Sequence, residues 1–256
     1  MKVVITGLGC ISALGHDAST NWQAMCEGQC GIDQLVLEPA ELFKSSLAAQ
    51  VTSFPSRDNF SHHEITRLDR FSLFALTTAR EAIADSGLEF STELQQRTAV
   101  IMGSAVGGMS SLDDGFKRLY RDNKRRLDPL TVPRVMLSAA SSAISMAYGI
   151  RGPCFSVSSA CSSANHAIAQ ALQMVRSGMV DIAITGGSEA CLTPGLIKSW
   201  GALKVLTNDT CRPFCLDRSG MVLGEGAGVL VLESLQHAKQ RGAKIYAELA
   251  GCGLSS

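Results

Sequence analysis

Cys161 lies in the stretch Gly152 to Met179, GPCFSVSSACSSANHAIAQALQMVRSGM, with Ser158, Ser159 and Ala160 before it and Ser162, Ser163 and Ala164 behind it. A thiol in that setting can be a nucleophile. A free cysteine titrates at about 8.5, and a helix N-terminus lowers that value through unpaired backbone N–H groups and positive dipole. Backbone N–H groups at a sharp turn can also hold a developing oxyanion. The small neighbours permit the turn and leave room for a substrate. An ordinary free cysteine is a small buried hydrophobe, so it is the context that makes Cys161 a candidate. Phe155-Ser156-Val157 reads as a short strand. From Asn165 onward, Ile168, Ala171, Leu172 and Val175 fall at spacings of three and four and predict a helix. Gly178 stands where that helix should stop.

The chain's 256 residues are 46% hydrophobic and 18% charged, a globular composition able to bury a large core. Twenty-three acidic residues balance twenty-three basic ones, so no whole-chain field recruits nucleic acid or a membrane surface. Nine cysteines (10, 26, 30, 154, 161, 191, 211, 215 and 252) form no CxxC pair. Cys26/Cys30 and Cys211/Cys215 have no histidine close in sequence to complete a zinc pattern. The expectation is a reduced, cytoplasmic protein with free thiols and no metal. The N-terminal KVVITGLG reads as a buried strand rather than a signal peptide, and no run approaches the roughly 18 apolar residues of a membrane span.

In chain order, Lys2 to Ile11 opens with a β-branched strand closed by Gly7 and Gly9. The GxG lacks the third glycine of a dinucleotide fingerprint, which leaves a tight turn after a strand as the simpler expectation. Asp17 to Cys26 is predicted helical, with Ala18, Trp22 and Met25 on one side, and Gly28 to Phe60 is irregular. Asp69 to Ser86 is a helix with Phe71, Phe74, Ala75, Ala79 and Ile83 as its apolar stripe, ended by Gly87. Thr98 to Met102 is a buried strand leading into Gly103-Ser104-Ala105-Val106-Gly107-Gly108, a turn whose backbone should come close to a partner. Lys117, Arg118, Arg121, Lys124, Arg125 and Arg126 are either a solvated helix face or a docking patch for an acidic partner. Pro133 to Tyr148 reads as one helix, Asp181 to Thr185 and Val229 to Leu232 as strands, Ser234 to Arg241 as a helix, and Ile245 to Ala250 as a strand. The alternation predicts a layered α/β fold in one domain.

GPCFSVSSACSSANHAI, GGSEA, CRPFCLDRSGMVLGEGAGVLVLE and HAKQRGAKIYAEL together resemble the N-terminal half of a β-ketoacyl-[acyl carrier protein] synthase of the elongating, synthase II type. The resemblance runs from Val3 to Ser256. It implies an α/β, thiolase-like fold in which two related halves pack into an αβαβα sandwich, and a homodimer. The family nucleophile falls on Cys161, which would accept an acyl group from acyl carrier protein as a thioester, its backbone N–H helping to form the oxyanion hole. The acyl enzyme would then condense with malonyl-carrier protein, releasing CO₂ and a 3-oxoacyl chain of fatty-acid biosynthesis. Val106 in SAVGGM and Trp200 in SWGAL match positions that line or limit the acyl pocket. Arg125 and Arg126 match the carrier-docking region, and Arg67 and Lys204 match it more loosely. The phosphopantetheine arm belongs to the carrier, so no cofactor is expected.

There are departures from the family pattern. Cys215 and Ser219 stand where RPFD and RDGF carry aspartates, and SWGALKVL and DTCRPF resemble a divergent branch that makes specialised acyl chains such as the lipids of nodulation factors. The family's two catalytic histidines, one in an HGT motif, lie in its C-terminal half. The histidines here are 16, 62, 63, 166 and 237, none in such a motif, and His166 reads as a core histidine. The expectation is a partial chain, inactive in condensation by itself and exposing apolar surface. Two other readings stand beside the condensing acyltransferase. One is a non-catalytic carrier-docking domain, which retention of Cys161 opposes. The other is a nicotinamide-dependent oxidoreductase, which the missing glycine opposes.

Overall fold

The computed structural model describes residues 1–43, 46–54 and 60–255. Among them, strands β1 (Val3–Ile11), β2 (Asp33–Gln34) and β3 (Leu47–Ala49) are interleaved with helices α1 (Ala18–Cys26), α2 (His62–Arg67), α3 (Arg70–Ser86) and α4 (Thr92–Gln96). Then follow β4 (Thr98–Gly103), α5 (Met109–Phe116), α6 (Thr131–Val135), α7 (Ala139–Tyr148), β5 (Cys154–Val157) and α8 (Ser163–Arg176). The remainder is β6 (Ile182–Glu189), α9 (Pro194–Ala202), β7 (Leu223–Gly224), β8 (Gly226–Ser234), α10 (Leu235–Gln240) and β9 (Ala247–Glu248). Six strands form one mixed sheet in the order β5-β4-β6-β8-β1-β9, in which β8 and β9 run against the other four. A small sheet, β2-β3-β7, lies apart from it. Among the described residues no helix is long and apolar enough to cross a membrane.

The strand pleat sends alternate residues to opposite faces, and a helix covers each face. Val100 and Met102 of β4 join Ile182 and Ile184 of β6 under Phe71, Phe74, Ala79 and Ile83 of α3. Ala99, Ile101 and Ala183 face the other way, onto Ala167, Ala171, Leu172 and Val175 of α8. Both helices stop on a left-handed glycine, Gly87 (φ +65°) and Gly178 (φ +77°), so the apolar stripes and stops read from sequence hold.

The structure corrects several elements. Gly7 and Gly9 do not make a turn: β1 runs through them to Ile11, and a Cβ on either would sit 2.1 Å or 2.0 Å from the Ala82 or Thr78 carbonyl oxygen of α3. These glycines seat a helix on a strand. The helix read over Pro133 to Tyr148 is two, broken at extended Met136 (ψ 135°). The Val135 carbonyl accepts the Gly108 N–H at 3.3 Å instead of a helical donor. In α1 the buried residues are Asn21 and Ala24, while Trp22 and Met25 are 69% and 61% exposed. Asn21 turns inward because it bonds the Ser12 hydroxyl and the Gly15 and Asp17 carbonyls. The irregular stretch read over Gly28 to Phe60 contains β2 and β3, and part of it lies outside the described residues. The strand read over Ile245 to Ala250 pairs through only two residues.

Two buried ion pairs clamp the ends of this assembly. Glu225 takes Arg70 Nε at 2.9 Å and Nη2 at 2.6 Å, and Arg70 also donates to the Val51 and Phe54 carbonyls. Glu233 is fully buried; it accepts hydrogen bonds from Thr6, from Arg241 Nε at 2.9 Å and from His237 Nδ1 at 2.7 Å. Burial alone would push the Glu233 carboxyl up, yet its bonds from Arg241, Thr6 and His237 hold it below the usual value. A depressed folded value contributes stability that is present above the unfolded value and lost as pH falls through the folded one. Arg241→Ala should therefore destabilise the fold by about 3 kcal/mol, because one partner leaves and the charge stays buried. Thermal melts across the acid range should show a steep loss of stability in the wild type and a flatter acid limb in Glu233→Gln.

Candidate active site

β5 ends at Val157, and the chain turns through Ser158 to Ser162 before α8 begins at Ser163, two residues earlier than the periodicity suggested. Ala160 takes a left-handed conformation (φ +53°), costly for a residue with a Cβ and a kind of strain that clusters at functional sites. Hydroxyls hold the bend. Ser163 Oγ donates to the Ala160 carbonyl at 2.6 Å and accepts the Ser159 N–H at 2.9 Å, while Ser162 Oγ donates to the Ser159 carbonyl at 2.8 Å. Cys161 emerges exposed from this turn. The cap residue Ser162 offers no side-chain acceptor to the first helical turn, and Ser163 and Ala164 at the start of α8 line the same cleft as the thiol.

What brings the helix start here is glycine. Gly103 at the end of β4 stands in register with Val157 of β5 and Gly187 of β6. A Cβ on Gly103 would lie 2.4 Å from the Ser163 backbone, and one on Gly187 would lie 2.6 Å from Ala164 Cβ. The turn after β4 works the same way: a Cβ on Gly108 would meet the Arg134 carbonyl oxygen at 2.1 Å. That is the close partner expected of this glycine-rich exit.

Cys161 opens into a cleft of about 1110 Å³. Val106, half-buried in the turn after β4, and Trp200, half-buried on α9, line the same cleft. The structure thus brings together three residues that lie almost a hundred positions apart. Arg67 is exposed on the last turn of α2, Arg125 and Arg126 are exposed in irregular chain beyond α5, and Lys204 is exposed just after α9 at φ +57°. None of these four lines the cleft. Lys117, Arg118 and Arg121 form a π-helical turn that continues α5, so the basic run is half helix and half coil. Among the described residues no group of three or more His, Cys, Asp or Glu side chains stands together as a metal site. His166, expected in the core, is half-buried in a side groove with Asn165 and the 251–255 segment. It does not line the cleft into which Cys161 opens.

Sequence reading missed much of the cleft wall. Trp22 and Met25 belong to it, as do Cys10 and Cys191. Burial, followed by nearby Glu81, pushes the Cys10 thiol up. Burial, followed by Glu189, pushes the Cys191 thiol up to about 11. Glu189, seen in sequence only as part of GGSEA, ends β6 and turns its carboxylate to the turn that carries Val106. Nothing in the local pattern marks it, because its partners are 83 to 85 positions away.

Residues 1–238 match the family model described as "Beta-ketoacyl synthase, N-terminal domain". The chain belongs to the β-ketoacyl synthase family. It is 42% identical over 255 residues to nodulation protein E of Rhizobium sp. (strain N33), matching 100% of this chain and 63% of that protein. It is 38% identical over 258 residues to 3-oxoacyl-[acyl-carrier-protein] synthase 2 of Staphylococcus aureus (strain MRSA252), at 99% and 62%. A solved structure, the ishigamide ketosynthase/chain length factor, superposes with a TM-score of 0.89 at 31% identity, covering 98% of this chain and 62% of that one. The α/β fold is therefore thiolase-like, and the chain spans under two thirds of the relatives it matches.

In a β-ketoacyl synthase domain built this way, Gly103→Ala should lower stability by about 1–3 kcal/mol through overpacking under α8, read by chemical denaturation. Among the cleft's three thiols, iodoacetamide at neutral pH should alkylate Cys161 well before Cys10 and Cys191, as peptide mapping would show. Equal labelling of all three would contradict the burial argument.

Proposed function

We propose that Cys161 is the acyl acceptor of a condensing enzyme. Its sulfur attacks the thioester carbonyl of an acyl-carrier protein, the oxyanion rests on backbone N–H groups that include that of Cys161, and the carrier thiol leaves. The observation that carries this reading is one geometry: an exposed thiol on a strained turn at an uncapped helix start, opening into a large and mostly apolar cleft. A covalent acyl enzyme splits a difficult transfer into two easier ones. The acyl chain would lie in the cleft, with Val106 and Trp200 limiting its length.

In the second half-reaction the acyl enzyme takes the carbanion left when malonyl-carrier protein loses CO₂, and 3-oxoacyl-carrier protein departs. We assign that step to the family's C-terminal half rather than to these residues alone. Of the five histidines, His237 is tied to Glu233 and His16 to the Thr52 carbonyl at 3.0 Å, and none lines the cleft. The histidine pair of the family's C-terminal half would supply it. Homodimerisation and a cytoplasmic setting belong to the same proposal. The carrier brings its own phosphopantetheine arm, so the reading asks for no bound cofactor.

Arg125, Arg126, Arg67 and Lys204 are proposed to dock an acidic carrier, which their exposure and their absence from the cleft lining favour. The acyl chain is that of fatty-acid biosynthesis or of a specialised product. SWGALKVL and DTCRPF, together with the 42% identity to nodulation protein E, favour the specialised branch.

The decisive experiment incubates the protein with acyl-carrier protein and reads intact mass. An acyl adduct mapped to Cys161, absent in Cys161→Ala, supports the reading. No adduct would leave a non-catalytic carrier-docking domain, and saturable NADH binding would favour an oxidoreductase instead. Arg125→Glu/Arg126→Glu should slow acylation from the carrier about tenfold or more while sparing acylation from a small acyl thioester, because rim charges act mainly on encounter. Robust ketoacyl synthesis by these residues alone would refute the division between halves.

A further inference from the structure

The Glu189 carboxylate is directed at one short run of backbone. Oε2 accepts the Ala105 N–H at 2.6 Å and the Val106 N–H at 3.3 Å, while Oε1 accepts the Ser104 hydroxyl at 3.2 Å. Ser104 Oγ in turn accepts the Gly107 N–H at 3.1 Å. Four consecutive residues are thus fixed through a single side chain. The same turn is fastened to the approach to the thiol: Ser104 N–H donates to the Val157 carbonyl at 3.2 Å, and Ser158 Oγ donates to the Ala105 carbonyl at 3.5 Å. Glu189 itself borders the cleft beside Val106 and Cys161.

The donor set calls for a carboxylate. Two amides and a hydroxyl converge on it, and an ionised carboxylate is an acceptor at every lone pair. Glutamine with its oxygen in the Oε2 place would accept the two amides without a charge and turn its NH₂ donor toward the Ser104 hydroxyl, which could then no longer donate there. Burial opposes ionisation here and the charge of Asp69 adds to the opposition, so the carboxyl is pushed up despite three hydrogen bonds. A chain that needed only a turn at this place could hold it with neutral hydroxyls, as it does at Ser162 and Ser163. Aiming a carboxylate at the amide of Val106 fixes where that side chain stands along the cleft.

We infer that Glu189 is a positioning residue for acyl-chain selection, setting the place of Val106 against a chain carried on Cys161. The inference rests on the acyl-acceptor reading of Cys161.

The test compares acylation of Cys161 from hexanoyl- and palmitoyl-carrier protein, by intact mass, in the wild type, Glu189→Gln, Val106→Ala and the double variant. Amide hydrogen exchange is followed at residues 104–107. Glu189→Gln should speed exchange at Ala105 and Val106 by about tenfold or more, the loss of a charge-assisted bond, and leave α8 unchanged. It should change the hexanoyl-to-palmitoyl rate ratio by about fivefold or more, and the effect should not multiply with that of Val106→Ala, because both act through one turn. Equal slowing of both donors, or an unchanged ratio, would overturn the inference and leave Glu189 a structural residue. Should Glu189→Gln not fold, Ser104→Ala removes one donor to the carboxylate and the acceptor of Gly107; it must shift the ratio in the same direction, and an unchanged ratio overturns the inference equally. A wild type that takes neither acyl group fails differently: the acyl-acceptor reading falls, and this inference falls with it.

Discussion

The start of α8 lies so close to the sheet that no side-chain carbon fits between them. Gly103 and Gly187 meet Ser163 and Ala164 at distances a Cβ would violate, and the rest of the site is arranged around that contact. With the helix held down, the five residues joining Val157 to Ser163 have no slack. Ala160 takes a left-handed conformation, and the residue after it lies exposed on the cleft. Cys161 is therefore presented by backbone geometry, with the serine hydroxyls closing the bend behind it. Glycine has an entropic cost in a strand, which this fold accepts at the positions where it lets a helix terminus approach.

Carboxylates do the corresponding work for the surrounding loops, in two distinct ways. Glu225 and Glu233 are buried opposite arginines, and their charge is matched where it stands. Glu189 and Asp69 lie near the cleft and are met by backbone N–H groups instead of cations. Asp69 caps its own helix at Phe71 and also reaches the Ser111 N–H of α5 at 2.7 Å, so the helix after the Val106 turn borrows its cap from a neighbour. Burial pushes both of these carboxyls up. The paired type anchors elements to one another, whereas the hydrogen-bonded type shapes short backbone runs whose exact path matters to the cleft.

What the sequence disclosed and what it hid follow the same division. The strand, small residues, cysteine and helix between Cys154 and Arg176 are contiguous, so periodicity and turn chemistry locate the thiol to within two residues of its helix. The stripe of α3 and the buried β4 are equally local signals. The break at Met136 is invisible because its cause is a carbonyl taken by Gly108, a distant residue. Trp22 and Met25 look like a core stripe, since periodicity reports an apolar face and cannot say whether anything covers it. Gly7 and Gly9 read as a turn, because a glycine needed for helix seating looks the same in one dimension as one needed for a positive φ. Glu189 carries no local mark at all.

That contrast separates the two kinds of chemistry the cleft combines. Thiol presentation depends on residues 157–164 and two glycines, all held by short contacts between one helix start and the sheet beneath it. The walls of the cleft come from β1, α1, the turn after β4, β6, α9, β7 and β8, spread over about 220 positions between Leu8 and Leu230. A substitution near Cys161 disturbs a taut structure and moves the thiol itself. A substitution in the walls moves one surface among several and leaves the thiol where it is. The fold can therefore hold one reactive group constant while the shape of the space beside it changes, because different contacts fix the two.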